Sequence, residues 1–133
     1  MKFKKTLRTL STLAATGAAV FAFTSPAAAA PDYTLFTSDD NPGGTLRFWD
    51  YGDQMDVCDS DADGYSAVGY VWDTVTGKRI YAYHVPGNGN CERRTYKDYN
   101  MVEDRLYKFK ICLDNNNHSY SDDKFCKTAY YRA

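Results

Sequence analysis

The stretch LYKFKICL, residues 106–113, decides the fold class. Large apolar side chains occupy every second position of it, namely Tyr107, Phe109, Ile111 and Leu113. A period of two is that of a β-strand with one buried face and one outer face. The alternation therefore predicts a strand whose apolar set faces the core, with Lys108, Lys110 and Cys112 on the outer face.

Strand-like runs with turn signals between them recur on both sides of this stretch. They lie at residues 45–49, 54–58, 65–73, 79–85, 94–99, 105–113 and 125–132. Gly, Asp and Asn separate the runs, and no stretch after the first thirty residues keeps a helical period of 3.6 residues. Seven short strands predict an all-β fold, a small antiparallel two-sheet sandwich of the immunoglobulin-like kind. A small closed barrel is the alternative.

The chain has four cysteines, an even number that predicts two disulfides in a small exported domain. In the run 125–132 the same alternation puts Cys126 on the outer face, next to Cys112 of the preceding strand. We therefore pair Cys112 with Cys126 and, by elimination, Cys58 with Cys91. The other two connectivities stay open. The inward set of the last strand is Phe125, Ala129 and Tyr131.

The first thirty residues have the pattern of a cleaved secretory signal peptide. A lysine-rich start is followed by an uncharged apolar stretch at 10–23 and by alanines that supply an Ala-x-Ala site. Residues 31–44 are rich in Ser, Asp, Asn, Pro and Gly, which predicts a flexible N-terminal arm that contains a short β-prone stretch at 32–37. The disulfide-stapled β domain then occupies residues 45–133. These features predict a secreted, extracellular protein without a membrane span.

The charge balance changes when the signal peptide is removed, because the signal contains four basic residues and no acidic ones. The remaining chain has 12 Lys and Arg against 17 Asp and Glu, a net charge of −5. A nucleic-acid-binding protein needs a basic face, so the composition argues against a nucleic-acid partner.

The sharpest motif is DSDADG, residues 59–64, the first half of a calcium-binding loop. Alternate carboxylates, here Asp59, Asp61 and Asp63, can converge on one hard cation. An EF-hand would require an acid at its twelfth position, which is Tyr70 here. We predict an acidic turn between two strands, with Gly64 at positive φ, and keep a β-loop calcium site as the alternative. No other cofactor is expected.

The candidates for catalysis are few. His84 and His118 are the two histidines, and the four cysteines are expected to be oxidised, which removes a thiolate nucleophile. Carboxylates are plentiful but fall in turns, so that no two are marked as a facing pair. We therefore assign no catalytic residue and predict that the chain is not an enzyme. A paired-Asp hydrolase is the alternative.

The chain resembles a group of small secreted actinobacterial proteins, of the kind found in Streptomyces. The resemblance rests on the Ala-rich signal, on the stretch GDQMDVCD at 52–59 running into Ala62, Asp63 and Gly64, and on a closing Cys112–Cys126 hairpin. It implies export and a β-sandwich, and it transfers no functional residues.

The surplus of tyrosine, twelve in all, suggests an interface. We predict an interaction module that binds another secreted or cell-surface protein, as an adaptor in an extracellular assembly such as a toxin particle. The arm would engage the partner. The predicted contact residues are Tyr33, Leu35, Phe36, Tyr81 and Tyr83. The alternatives are an inhibitor of an extracellular hydrolase, acting through loops 86–90 or 114–123, and a carbohydrate-binding or cell-wall-binding module.

Overall fold

A computed structural model describes residues 27–116 and 119–133, so most of the predicted signal peptide and His118 lie outside the described residues. It contains eight strands and one short 3-10 turn. The strands are β1 (Tyr33–Phe36), β2 (Gly44–Trp49), β3 (Gln54–Asp59), β4 (Ser66–Asp73), β5 (Arg79–Pro86), β6 (Cys91–Arg94), β7 (Leu106–Asp114) and β8 (Lys124–Arg132). Within the described ranges, no helix has the length and apolar character needed to cross a membrane.

The strands form two four-stranded sheets, as predicted for a sandwich. Sheet A has the order β1-β2-β3-β6, and sheet B has the order β5-β4-β7-β8. Every neighbouring pair is antiparallel. The alternation that opened the sequence analysis belongs to β7, an inner strand of sheet B.

The core lies between the inner faces of the two sheets. Tyr107, Phe109 and Ile111 are fully buried there, and the rings of Phe109 and Phe48 lie 5.1 Å apart. The inward set predicted for β7 is therefore confirmed. Sheet A contributes Leu35, Leu46, Phe48, Met55 and Val57 to the same cluster.

The segment predicted as a flexible arm contains β1. Tyr33–Phe36 pairs with β2 along its whole length, in the register Tyr33 with Phe48 through Phe36 with Thr45. Beyond the strand, the Ser38 N–H donates to the Phe125 carbonyl at 2.9 Å. The prediction of a free arm is thus corrected for this stretch, because β1 is an edge strand of sheet A.

Two other predictions at strand ends are wrong. The run 94–99 is not a strand, because Thr95 and Asp98 close a turn in which the Thr95 N–H donates to the Asp98 carboxylate at 2.8 Å. Phe125 does not point inward. It has φ 52° beside an irregularity in the β7–β8 register, and 47 % of the residue is exposed.

The two disulfides join Cys58 to Cys91 and Cys112 to Cys126, as predicted. Each bridges neighbouring strands of one sheet. Cys112 lies on the outer face of sheet B and is nevertheless fully buried. It belongs to a second small cluster, made of Val68, Tyr70 and Cys112 with Trp72 and Cys126 packed against it.

Candidate functional site

Three of the five residues predicted to contact a partner are buried. Tyr81 and Tyr83 are 8 % and 6 % exposed and belong to the core, because alternate positions of β5 face sheet A. Leu35 is 7 % exposed and packs in the same cluster. These three positions are corrected from surface contacts to core residues. Tyr33 is half-buried, and its ring packs against Tyr131.

Phe36 is the predicted contact that reaches the surface. It follows Leu35 in β1, so it points to the opposite face of sheet A, and it is 52 % exposed. Strand pairing places Phe36 in a row across this outer face, and the row runs Phe36, Thr45, Cys58, Cys91. An exposed ring therefore lies in line with a disulfide.

A second row crosses the same face one pair of residues further along the strands, and it runs Thr34, Arg47, Asp56, Arg93. Arg93 donates to both carboxylate oxygens of Asp56, at 2.6 and 2.7 Å, and this hydrogen bonding raises the pKa of Arg93. Arg47 Nη2 lies 3.6 Å from Asp56 Oδ2 on the other side. Asp56 is thus held between two arginines and is buried although it lies on the outer face.

Trp49 lies beside this charged row, two residues further along β2 than Arg47. The guanidinium carbons of Arg47 and Arg93 lie 5.9 and 5.5 Å from its ring centre, within the range of cation–π attraction. The indole N–H of Trp49 donates to the Ala29 carbonyl at 2.8 Å. The chain before β1 is therefore attached to the same face.

A groove of about 480 Å³ opens beside the two rows. Its lining is Thr34, Phe36, Thr45, Arg47, Cys58, Asp59, Ser60, Asn88, Gly89 and Cys91. Arg47 Nη2 lies 3.0 Å from the Cys58 sulfur, and Arg47 Nε has no acceptor among the described residues. We call this surface the sheet-A groove. It combines an apolar rim, a disulfide floor and a partly exposed arginine.

The acidic loop 59–64 closes one end of the groove. Its side chains are largely occupied by local hydrogen bonds: Asp59 Oδ1 accepts from the Asp61 N–H at 3.3 Å, and Asp63 Oδ1 accepts from the Tyr65 N–H at 2.8 Å. Asp61 accepts from the Asn41 amide at 2.9 Å. Gly64 has φ +84°, as predicted for the bend.

The three carboxylates predicted as calcium ligands do not converge. Within the described ranges, the one set of three His, Cys, Asp or Glu side chains with ligand atoms within 4.8 Å of one another is Cys112, Asp123 and Cys126. Its cysteines are joined in a disulfide, which removes the thiolates that a metal ion would bind. In this structure the carboxylates of Asp59, Asp61 and Asp63 accept hydrogen bonds from nearby backbone and amide groups.

Asp59 is the unusual member of the loop. It is 2 % exposed, and its Oδ2 has no hydrogen-bond partner among the described residues. Burial raises its pKa above the ordinary 3.8, and the carboxylates of Asp63 and Asp61 raise it further. A carboxyl with a raised folded-state pKa favours folding below its unfolded pKa, and this contribution is lost as the pH rises through the folded value.

We expect Asp59→Asn to remove this pH dependence. The variant keeps a side-chain oxygen for the Asp61 N–H and cannot ionise, so its melting temperature at neutral pH should equal or exceed that of the wild type. The difference should shrink as the pH falls and vanish below the ordinary pKa of 3.8, where the Asp59 carboxyl is protonated in both the folded and the unfolded chain. Thermal melts of the wild type and the variant, from neutral to acidic pH, measure this difference in melting temperature. Melts with calcium chloride and with EDTA are the control, and a calcium-dependent rise that Asp59→Asn abolishes would contradict the acidic-turn interpretation.

The outer face of sheet B carries a second polar cluster. His84 Nε2 lies 3.2 Å from Asp114 Oδ2, and the Tyr70 hydroxyl donates to Asp123 Oδ2 at 2.7 Å. Burial raises the pKa of Asp123, and its hydrogen bond from Tyr70 opposes that rise. The Tyr70–Asp123 contact joins the β7–β8 connection to the outer face of sheet B.

Sequence reasoning missed the Arg47–Asp56–Arg93 row. The three residues occupy outward positions of β2, β3 and β6, and only the register brings them into line. A strand pairing deduced from the predicted Cys58–Cys91 bridge would have placed Asp56 opposite Arg93. The signal was therefore present in the predicted disulfide.

No protein-family model, curated protein or solved structure matches this chain. The surfaces described above are therefore the basis for a functional proposal. Of these surfaces, the sheet-A groove combines an exposed aromatic ring, an open cavity and charged side chains.

Proposed function

We propose that this chain is a secreted, non-enzymatic protein-interaction module, an adaptor that binds a protein partner in the sheet-A groove. The observation that carries the proposal is the exposed ring of Phe36, on the rim of a groove floored by the Cys58–Cys91 disulfide. An aromatic side chain beside a rigid concavity is the form that binding hot spots take. The bridge fixes two neighbouring strands, so the groove exists before the partner arrives.

The partner's chemistry follows from the groove. An apolar side chain of the partner would fill the space between Phe36 and the disulfide. A carboxylate next to it in the partner would pair with the Arg47 guanidinium, because the Arg47 side chain is 38 % exposed. Charge-assisted bonds between guanidinium and carboxylate are stronger than neutral ones. The proposed partner therefore presents an apolar residue flanked by Asp or Glu.

In the proposed site, β1 remains paired with β2 as the edge strand of sheet A. Deleting residues 30–40 would remove four residues of pairing with β2 and uncover Leu46, so the deletion would not separate folding from binding. Point substitutions on the outer face do separate them, because Phe36 and Arg47 point away from the core.

The test is co-purification from the culture medium of the producing organism, with the protein and its variants tagged at equal concentration. We expect a stoichiometric companion with the wild type. Phe36→Ser and Arg47→Glu should each weaken its retention about tenfold or more, the loss expected of a hot-spot residue. Identification of the companion by mass spectrometry then allows the affinity to be measured directly.

The matched control is Tyr130→Ser, which removes an aromatic side chain of similar exposure (56 %) from the outer face of sheet B. It should keep the companion. A companion retained by both groove variants would refute the sheet-A groove as the site, and a wild type without any companion would refute the adaptor itself. Thermal melts of each variant confirm that the fold is intact.

A further inference from the structure

The β2–β3 turn holds one aromatic ring almost wholly in solvent. Tyr51 is 91 % exposed. The turn around it is fixed at three points: the Asp53 N–H donates to the Asp50 carbonyl at 3.1 Å, the Met101 N–H donates to Asp53 Oδ2 at 2.8 Å, and the Tyr96 N–H donates to the Gly52 carbonyl at 2.9 Å. Tyr51 is thus an exposed ring on a backbone that is already ordered, which lowers the entropic cost of binding.

Tyr96 stands next to the same turn. It is 53 % exposed, and its ring lies against Gly52, where a Cβ would meet Tyr96 Cδ1 at 3.9 Å. Gly52 has φ +82°, a conformation that glycine adopts without strain. The two tyrosines come from different loops, β2–β3 and β6–β7, and both line the same two cavities. We call Tyr51 and Tyr96 the tyrosine pair.

The two cavities carry opposite charge. The first, of about 330 Å³, is lined by the tyrosine pair with Asp50, Gly52, Asp53, Asn100 and Glu103. The second, of about 340 Å³, is lined by the tyrosine pair with Gly52, Gln54, Arg93, Thr95 and Lys97. The first cavity therefore offers three carboxylates and two aromatic rings, and contains no basic side chain in its lining.

Asp53 is the buried member of the acidic cavity. It is 4 % exposed, and one of its oxygens, Oδ2, is used by the Met101 N–H. Burial raises the pKa of Asp53 and the Met101 N–H lowers it, while the nearby Asp50 carboxylate raises it again. A cation in the cavity would relieve the repulsion between these two carboxylates.

We propose that the acidic cavity beside the tyrosine pair binds a lysine or arginine side chain of a protein partner. The cation would lie against the tyrosine rings, by cation–π attraction, and pair with Asp50, Asp53 and Glu103. The remaining surface of Tyr51 would pack on the partner's backbone. Charge complementarity selects a basic side chain over an acidic or an apolar one.

This surface is separate from the sheet-A groove. Their linings share no residue, and Arg47, the last groove residue on β2, stands three residues before Asp50, so about 10 Å of chain separates them. The inference goes beyond the proposed function, because either site could bind a partner without the other. An adaptor that joins two proteins needs two such surfaces.

The test is an NMR titration of the purified, isotope-labelled protein with the peptide acetyl-Gly-Arg-Gly-amide. We expect the amide signals of residues 50–53, 96 and 100–103 to shift. A matched peptide with citrulline in place of arginine has the same shape and no charge, and it should cause no such shift. Tyr51→Ser and the double variant Asp50→Asn with Glu103→Gln should each weaken binding about tenfold or more. The substituted residues Tyr51, Asp50 and Glu103 are all exposed, so the variants are expected to fold.

Three results would overturn the inference: equal binding of the citrulline peptide, shifts that are as large at the acidic loop 59–64, or unchanged binding by the variants. Arg47→Glu serves as the control that separates the two sites. This variant should still bind the arginine peptide and should no longer bind the partner of the sheet-A groove. Failure of one proposal therefore leaves the other testable.

Discussion

Replacing both Cys58 and Cys91 by alanine is expected to lower the free energy of unfolding by about 4 kcal/mol, on the loop-entropy relation. The bridge joins residues 33 apart in sequence, and its removal frees that loop in the unfolded chain. Small domains have total stabilities of about 5–15 kcal/mol, so the loss is a large share of the total. Urea denaturation of the double variant against the wild type measures it.

The matched control is Cys112→Ala with Cys126→Ala. Its bridge spans 14 residues, so the same relation predicts a smaller loss of about 3 kcal/mol. The order of reduction should differ as well. Cys91 is exposed and Cys112 is fully buried, so a thiol reductant should open Cys58–Cys91 first. Equal losses from the two double variants, or first reduction at Cys112–Cys126, would contradict this account.

Gly69→Ala is expected to destabilise the protein by about 3 kcal/mol, the upper end for overpacking a core. Gly69 lies in β4 and faces Val57 of sheet A, and an added Cβ would overlap Val57 Cγ2. Val57 is fully buried and β-branched, so it has little rotamer freedom with which to move aside. Urea denaturation with both disulfides intact measures the loss.

The double variant Gly69→Ala with Val57→Ala tests the cause. Each substitution alone destabilises, the first by a clash and the second by a cavity. In the double variant, the added methyl group of residue 69 occupies space that the shortened side chain of residue 57 leaves empty. The loss of stability should therefore be smaller than the sum of the two single losses, by a coupling energy of about 1–2 kcal/mol. Additive losses would show that the cost of Gly69→Ala arises elsewhere, for example in strand backbone conformation.

The period-two alternation of apolar residues is sufficient to predict the fold class. The alternation in residues 106–113 placed Tyr107, Phe109 and Ile111 in the core, and the shared outer face of Cys112 and Cys126 led to both disulfide pairings. These predictions succeeded because a strand buried on one face alternates strictly, and a cysteine on that strand inherits its side. The sheet order depended on long-range pairing, which the local pattern does not contain.

The site was less predictable, for physical reasons that differ between residues. The prediction that Tyr81 and Tyr83 contact a partner is wrong, because tyrosine composition alone does not say which side of a strand faces the other sheet. β1 lies in the segment predicted as an arm because the turn-forming residues 38–44 follow it, and its pairing with β2 is a hairpin across that loop. The exposure of Tyr51 is not predictable from the local sequence, because it depends on a turn held by Met101 and Tyr96, residues far along the chain.

The connectivity of the two disulfides has a consequence for how the chain matures. The first cysteine of the sequence is bonded to the second, Cys58 to Cys91, and the third is bonded to the fourth, Cys112 to Cys126. A chain that emerges N-terminus first exposes its thiols in that order. An oxidant that joins thiols as they appear would make both native bonds directly. Maturation then needs no disulfide isomerase, and the slow reshuffling of wrong bonds is avoided.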